Sequence, residues 1–136
     1  MKKITLLITF ILVLAAGVLL DLAPIRVPDG IDKIYHFAGF SILTFFAILN
    51  FVEFFGKKSV NSFLLFIMTF GGIFAGISEF LQKLTAFRDC DVNDWLTNLC
   101  GITIVCIITF LVYSKQKKEF EIDQATFDFK DLPALS

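Results

Sequence analysis

Four apolar stretches of membrane-spanning length constrain this chain more than any other feature. The hydrocarbon core of a bilayer is about 30 Å thick, so a helix needs about 20 predominantly apolar residues to cross it. Hydrophobic residues make up 57% of the 136 positions and charged residues only 18%, against roughly 25% charged in a soluble domain. The sequence therefore predicts an all-α polytopic membrane bundle, a single domain over residues 1–113 with four transmembrane helices at about 4–20, 34–55, 62–82 and 95–113.

The distribution of basic residues predicts how this bundle is oriented. Cytoplasmic loops are enriched in Lys and Arg, and lysines precede the first stretch, join the second to the third and follow the fourth. The connections 21–33 and 83–94 instead balance their few cations with several aspartates. We expect both termini to be cytoplasmic and these two connections to face outward. Residues 114–136 are predicted to be a cytoplasmic, disordered tail, with a short strand around Phe120 and Ile122 as the alternative.

The N-terminal stretch has two interpretations. Two lysines followed by an apolar run are typical of a signal peptide, and this chain begins that way. The run is long enough to span a bilayer, however, and the nearest small residues for a cleavage site, Ala15 and Gly17, lie inside it. We expect the stretch to be retained as the first transmembrane helix. Its removal would leave the rest of the topology unchanged.

Polar residues gather at places that the predicted topology brings to one outward-facing surface of the bilayer. A charged group within a span is costly, so such residues normally face the bundle interior and find partners there. Helical spacings of three and four residues place the members of each group on one face. The candidate pocket comprises Asp32, Lys33 and His36, then Glu79 and Gln82, then Arg88, Asp91, Asp94 and Asn98.

Small residues offer a way for the helices that carry these groups to approach one another. Gly72-x-x-x-Gly76 lies on the third predicted span and Gly101 on the fourth. Glycines at such positions let helix backbones come close together in membranes. The same pattern also arises incidentally in apolar spans, so close packing at these glycines is an expectation.

Several candidate residues have a structural as well as a functional interpretation. His36 is the only histidine and follows Asp32 by one turn. It is either a proton carrier or ligand, or a hydrogen-bonded structural group. Arg88 either binds a phosphate or carboxylate through its planar guanidinium or extends to the membrane interface. Asn98 is either a pocket residue or a link between helices, and Lys33 is either a pocket residue or an interface charge.

Motifs of several familiar protein classes are missing from the sequence. Asp89-x-Asp91-x-Asn93 begins like an EF-hand loop. Its sixth and twelfth positions are Asp94 and Cys100 instead of the Gly and Glu that the loop needs. The three cysteines have no CxxC spacing, which argues against a zinc site or a disulfide framework. We predict no metal site, leaving open an irregular oxygen-rich cation site, and identify no cofactor. There is no catalytic nucleophile motif and no basic recognition patch, so we expect no nucleic-acid partner.

The order and spacing of the polar groups resemble VanZ-like membrane proteins. The resemblance rests on Asp32-Lys33-x-x-His36-Phe37, Glu79-x-x-Gln82 and Arg88-x-x-Asp91-x-x-Asp94-x-x-x-Asn98-x-x-Gly101, which occur in the family's order. It extends from about residue 32 to the end of the fourth predicted span. It implies a small bundle of about four helices in the bacterial plasma membrane and an association with resistance to the glycopeptide antibiotic teicoplanin.

Three functions are compatible with this sequence. We favour an envelope protein, surrounded by membrane lipids, whose outward-facing polar pocket binds a peptidoglycan precursor, a lipid headgroup or a partner protein. The alternative is a membrane enzyme acting on a lipid-linked or phosphate-bearing substrate. In that enzyme a carboxylate near His36 would be the general base, and Arg88 would stabilise developing negative charge. Proton or ion movement through Glu79 and His36 ranks last, because the spans inward of them are nearly apolar.

Overall fold

The computed structural model describes residues 2–22, 28–55, 60–83 and 91–130, and those residues form an all-helical structure. The four helices are α1 (Lys2–Leu22), α2 (Asp29–Phe55), α3 (Val60–Gln82) and α4 (Val92–Lys130). The prediction of an all-α fold is confirmed for this part of the chain.

Three of the helices are long and apolar enough to cross a membrane. Their candidate spans are Gly30–Glu53, Val60–Gln82 and Val92–Gln124, and the apolar segment of α1, Ile4–Ala16, is shorter. These lengths and compositions indicate a membrane protein. A fourth crossing and the placement of both termini in the cytoplasm stay predictions.

Helix α4 corrects the prediction of a disordered tail. It continues through residues 114–130, where the sequence predicts disorder or a short strand. The physical reason is local: these residues include strong helix formers and no Gly or Pro. Two oppositely charged pairs also have the helical i, i+4 spacing, Lys115–Glu119 at 3.8 Å and Lys117–Glu121 at 3.7 Å. Residues 131–136 lie outside the described residues.

The start of α4 is set by Asp91. Its backbone carbonyl accepts the first helical hydrogen bond, from the amide of Trp95 at 3.2 Å. Its carboxylate Oδ1 accepts a hydrogen bond from the backbone amide of Asn93 at 2.8 Å, which satisfies one of the unpaired amides at the helix N-terminus. Starting the helix here places Asp94 and Asn98 on consecutive turns of one face.

Helix α2 contacts α1, α3 and α4. The apolar core of the bundle consists of Ile48, Val60, Leu64, Ile102 and Cys106. Ile48 is late in α2 and Val60 opens α3, so the core lies away from the end where α2 begins, α3 ends and α4 begins. We call the end of the bundle where α2 begins, α3 ends and α4 begins the polar end. Helix α1 is joined to α2 by Asn50, whose side-chain amide donates to the Leu6 carbonyl at 3.2 Å.

The backbones of α2 and α4 approach closely at Gly101. A Cβ atom at this position would lie 2.7 Å from the carbonyl oxygen of Phe37 and 2.9 Å from the Ser41 hydroxyl. No side chain larger than hydrogen fits there without moving one helix. The expectation that Gly101 permits close approach is confirmed.

The glycines of α3 have a different role from the predicted one. A Cβ on Gly72 would lie 3.0 Å from Leu99 Cδ2, and one on Gly76 would lie 3.5 Å from the indole nitrogen of Trp95. That indole N–H also donates to the Gly72 carbonyl at 3.1 Å. The glycines therefore make room for side chains of α4, whereas the sequence predicts a direct contact between backbones.

Large apolar side chains cover the outside of the bundle. Leu65 is 69% exposed and Ile34 is 66% exposed. Exposure of this extent on the candidate spans is what a helix surface in contact with lipid requires. In the same helices the strongly buried groups include several polar side chains. Thr44 and Asn50 lie further along α2, and the others lie at the polar end: His36, Glu79, Gln82, Asp94 and Asn98.

Candidate functional site

Three helix ends bring the candidate residues together at the polar end. The start of α2 carries Asp32, Lys33 and His36, the end of α3 carries Glu79, and the start of α4 carries Asp91, Asp94 and Asn98. We call these seven residues the polar cluster. Four of them are almost completely buried: His36 (6% exposed), Glu79 (2%), Asp94 (4%) and Asn98 (0%). Buried groups of this kind need partners, and each has one within the cluster.

His36 lies at the centre of the polar cluster. Its Nδ1 atom is 3.5 Å from Oε1 of Glu79. Its Nε2 atom is 3.8 Å from Oδ1 of Asp32 and 3.9 Å from Oδ2 of Asp94. Nε2 is buried and, within the described residues, has no hydrogen-bond partner. One ring nitrogen thus faces the carboxylate of α3, and the other points between two carboxylates from α2 and α4.

Asn98 holds the Glu79 carboxylate in place. Its side-chain amide Nδ2 donates to Oε1 of Glu79 at 3.0 Å. The same oxygen faces His36 Nδ1 at 3.5 Å, so α2, α3 and α4 meet around one carboxylate oxygen. Asn98 is therefore a link between helices, as one of its two sequence interpretations predicts, and the link also orients a residue of the cluster.

Lys33 joins the two aspartates at the start of α4. Its Nζ atom is 3.4 Å from Oδ2 of Asp91 and 3.3 Å from Oδ1 of Asp94. The Lys33 and Asp91 side chains are 39% and 38% exposed, whereas that of Asp94 is 6% exposed. Lys33 and Asp91 thus form the solvent-accessible side of the cluster. The two oxygens of Asp94 face in different directions, Oδ1 to Lys33 and Oδ2 to His36.

Asp91 is held in its charged form by its hydrogen bonds. The hydrogen bond from the backbone amide of Asn93 is the largest influence on the pKa of Asp91 and lowers it below its ordinary value of 3.8. Burial is the next largest and opposes this shift, and Lys33 lowers the pKa further. Donors that hydrogen-bond to a carboxylate stabilise the ionised form. Asp91 therefore carries a negative charge at the accessible side of the cluster near neutral pH.

Acidic groups outnumber basic ones in the polar cluster. It contains four carboxyl groups, those of Asp32, Glu79, Asp91 and Asp94, against the single ammonium of Lys33 and the single imidazole of His36. The ion-pair contacts among them run through Lys33 and His36. A site with this composition favours a positively charged group over an anion.

Two predicted site residues are not among the seven of the polar cluster. Gln82 is one turn beyond Glu79 on α3 and is buried, with 2% exposure. Arg88 lies outside the described residues, in 84–90. The suggestion that a guanidinium binds phosphate or carboxylate at this site therefore stays a prediction.

Sequence reasoning missed two residues that shape the site. Asn93 donates to Asp91 through its backbone amide and also through its side-chain amide, at 3.0 Å. Trp95 ties α4 to α3 directly after Asp94 by its bond to the Gly72 carbonyl. An aspartate immediately before an apolar helical run is an N-cap signal. A tryptophan at the start of a span is typical of the membrane interface, but nothing in the sequence indicates its carbonyl partner.

Comparisons with known proteins give one relative. No family model matches the chain, and no solved structure matches it. The chain is similar to a Schizosaccharomyces pombe protein named "Uncharacterized protein C11E3.10", with 26% identity over 117 residues, which cover 85% of this chain and 68% of that protein. The relative is eukaryotic and its name states no function.

Proposed function

We propose that this chain is a VanZ-like, multi-pass protein of the bacterial plasma membrane that binds a cation-bearing envelope ligand at the polar cluster. The ligand belongs to the peptidoglycan precursors or the lipid headgroups, which present ammonium groups or bound metal ions. The proposed topology has four membrane crossings, both termini in the cytoplasm and the polar cluster at the outer surface. Modulation of glycopeptide susceptibility, teicoplanin included, is the expected phenotype.

One observation carries the proposal: His36 Nε2 is buried, has no hydrogen-bond partner within the part of the chain that the structure describes, and points between the carboxylates of Asp32 and Asp94. Polar groups buried in a membrane bundle are costly and mark functional sites by default. The excess of carboxyl groups around His36 favours a cationic ligand. Lys33 and Asp91, each more than a third exposed, provide the side from which such a ligand enters.

The test is complementation of a deletion strain of the source organism. Wild type and the variants Glu79→Gln and Asp94→Asn are compared for teicoplanin susceptibility and for envelope lipid composition. Glu119→Gln is the matched control, because it makes the same change as Glu79→Gln on a side chain that is 63% exposed in the distal part of α4. We expect the two cluster variants to reach the membrane and fail to complement, and the control to complement. Full complementation by both cluster variants would contradict the proposal.

Topology is tested separately. Reporter fusions at each terminus and in the connections around residues 25 and 87 distinguish cytoplasmic from external positions. We expect both termini to be cytoplasmic and both connections to be external. An external N-terminus would mean three crossings by α2, α3 and α4 without a complete crossing by α1.

A second candidate function is a membrane enzyme acting on a phosphate-bearing envelope lipid. The observation that favours it is the contact of His36 Nδ1 with Glu79 Oε1 at 3.5 Å, in which a carboxylate orients an imidazole as in general-base sites. Accumulation of one lipid precursor in the deletion strain, reversed by wild type and not by Glu79→Gln, would support the enzyme. Altered susceptibility with unchanged lipids would support binding alone.

A further inference from the structure

We propose that the polar cluster binds a divalent transition-metal ion through Asp32, His36 and Asp94. The proposal rests on the proposed function in treating the cluster as a cation site, and it names the cation. One ligand atom from each of the three residues lies within 4.8 Å of those of the other two. Two residues come from α2 and one from α4, so the ion would join the two helices that Gly101 brings together.

The distances are close to those of a bound ion. His36 Nε2 lies 3.8 Å from Asp32 Oδ1 and 3.9 Å from Asp94 Oδ2. Zinc–nitrogen and zinc–oxygen bonds of about 2.0–2.2 Å place tetrahedral ligand atoms about 3.3–3.6 Å apart. These two distances need to shorten by about half an ångström. The oxygens of the two aspartates lie within 4.8 Å of each other, so that pair needs to close by at most about 1.5 Å. Rotation of the aspartate side chains supplies such a movement without moving a helix.

The unpartnered histidine nitrogen is an observation independent of the acidic groups. His36 is 6% exposed, and its Nε2 atom has no hydrogen-bond partner among the described residues. A buried polar atom without a partner is unfavourable unless something else satisfies it. A metal ion between Nε2 and the two carboxylates would satisfy it, because a neutral imidazole nitrogen is a common metal ligand.

The surroundings of His36 match those of metal-binding histidines. A ligating histidine usually donates its other ring N–H to a carboxylate, which fixes the ring orientation and leaves the metal-facing nitrogen unprotonated. Here Nδ1 faces Oε1 of Glu79 at 3.5 Å, and Asn98 holds that oxygen by its own hydrogen bond at 3.0 Å. Glu79 and Asn98 are therefore positioning residues, and they do not bind the ion.

The donor set selects the kind of metal. One imidazole and two carboxylates suit ions such as Zn²⁺ and Mn²⁺, whereas Ca²⁺ and Mg²⁺ prefer sites made only of oxygen. Cys106 belongs to the apolar core and Cys100 is exposed, so neither adds a thiolate to the group. Three protein ligands leave a coordination position for water or for a ligand atom.

The test measures metal binding to the full-length protein in detergent, purified with a tag that contains no histidine and stripped of metal. Bound metal is counted by elemental analysis after equilibration with Zn²⁺ or Mn²⁺, and affinity is followed by calorimetry. Visible absorption of Co²⁺ reports coordination geometry. We expect one ion per chain, bound at least 100-fold more tightly than Mg²⁺ or Ca²⁺.

Variants locate the site. Asp32→Asn and Asp94→Asn preserve side-chain shape and are expected to abolish binding, and Glu79→Gln is expected to weaken it about 10- to 100-fold, as positioning residues do. A variant with all three cysteines changed to serine is the control and should bind as wild type does. Circular dichroism and monodisperse elution establish that each variant is folded. Loss of binding in the cysteine variant, or binding unchanged in both aspartate variants, would overturn the proposal.

Combining the two experiments separates failure of this inference from failure of the proposed function. No metal binding together with loss of complementation by Glu79→Gln and Asp94→Asn would refute the metal site and leave the proposed function standing. One ion per chain together with full complementation by those variants would establish the metal site and refute the proposed function.

Discussion

Replacing Gly101 by alanine tests whether close contact between α2 and α4 builds the polar end. The added Cβ would lie 2.7 Å from the Phe37 carbonyl oxygen, about 0.8 Å inside the contact distance of about 3.5 Å between non-bonded atoms. A backbone oxygen cannot rotate away as the Ser41 hydroxyl can. The helices must therefore separate, and Asp94 moves away from His36 and Lys33.

The matched control is Gly39→Ala on α2, because a Cβ at Gly39 meets no atom within 4 Å. Both substitutions gain the same helix propensity, about 1 kcal/mol, so their difference isolates the contact. Overpacking typically costs about 1–3 kcal/mol. We expect the unfolding free energy of Gly101→Ala to be lower than that of Gly39→Ala by about that amount.

The assay is unfolding in mixed micelles of mild detergent and SDS, followed by tryptophan fluorescence. Trp95 is the only tryptophan, and it contacts Gly72 and Gly76 across the α3–α4 interface. It therefore reports separation of these helices without a label. Equal stability of Gly101→Ala and Gly39→Ala would refute the close approach and the account of the polar end that depends on it.

Three further predictions use unfolding in the same mixed micelles. Asn98→Leu removes the donor to Glu79 and should lower the unfolding free energy by about 1.5–3 kcal/mol, the range for hydrogen bonds to charged groups; unchanged stability would mean that the amide contributes nothing. Because the pKa of Asp91 is lower in the folded chain than its ordinary 3.8, its stabilising contribution is present above that value and is lost as the pH falls through the lower, folded-state value. Asp91→Asn should lack this part of the acid sensitivity while retaining the bond from the Asn93 amide, and an identical pH profile would contradict the assignment. Trp95→Phe removes the indole donor and should cost about 0.5–1.5 kcal/mol, measured by circular dichroism because no tryptophan remains, and a cost near zero would show that the bond to α3 is dispensable.

The helices, and the location of the candidate residues at one end of the bundle, follow from simple rules of helix length and periodicity. Apolar stretches of bilayer length predict helices that run in alternating directions, so the starts of α2 and α4 and the end of α3 meet at one end. Spacings of three and four residues then predict that Asp94 and Asn98 share a face. These rules use only local information, and the positions of these residues agree with them.

The pairing of side chains depends on how each helix is rotated against its neighbours, which local patterns do not specify. The choice of Glu79 as partner for Asn98 spans 19 residues, and the choice of Asp94 as partner for Lys33 spans 61. The length of α4 does not follow from the sequence for another reason: the composition of residues 114–130 fits both a disordered segment and a charged helix.

The bond between Asn50 and α1 has a consequence for how this protein can evolve. Asn50 binds the main-chain carbonyl of Leu6, and every residue type carries that group. Mutations along α1 can therefore exchange one apolar residue for another and keep the bond, whereas any mutation of Asn50 to an apolar residue removes it. This bond therefore constrains the residue type at Asn50 more than the residue types along α1, where apolar character and length are what a membrane helix requires.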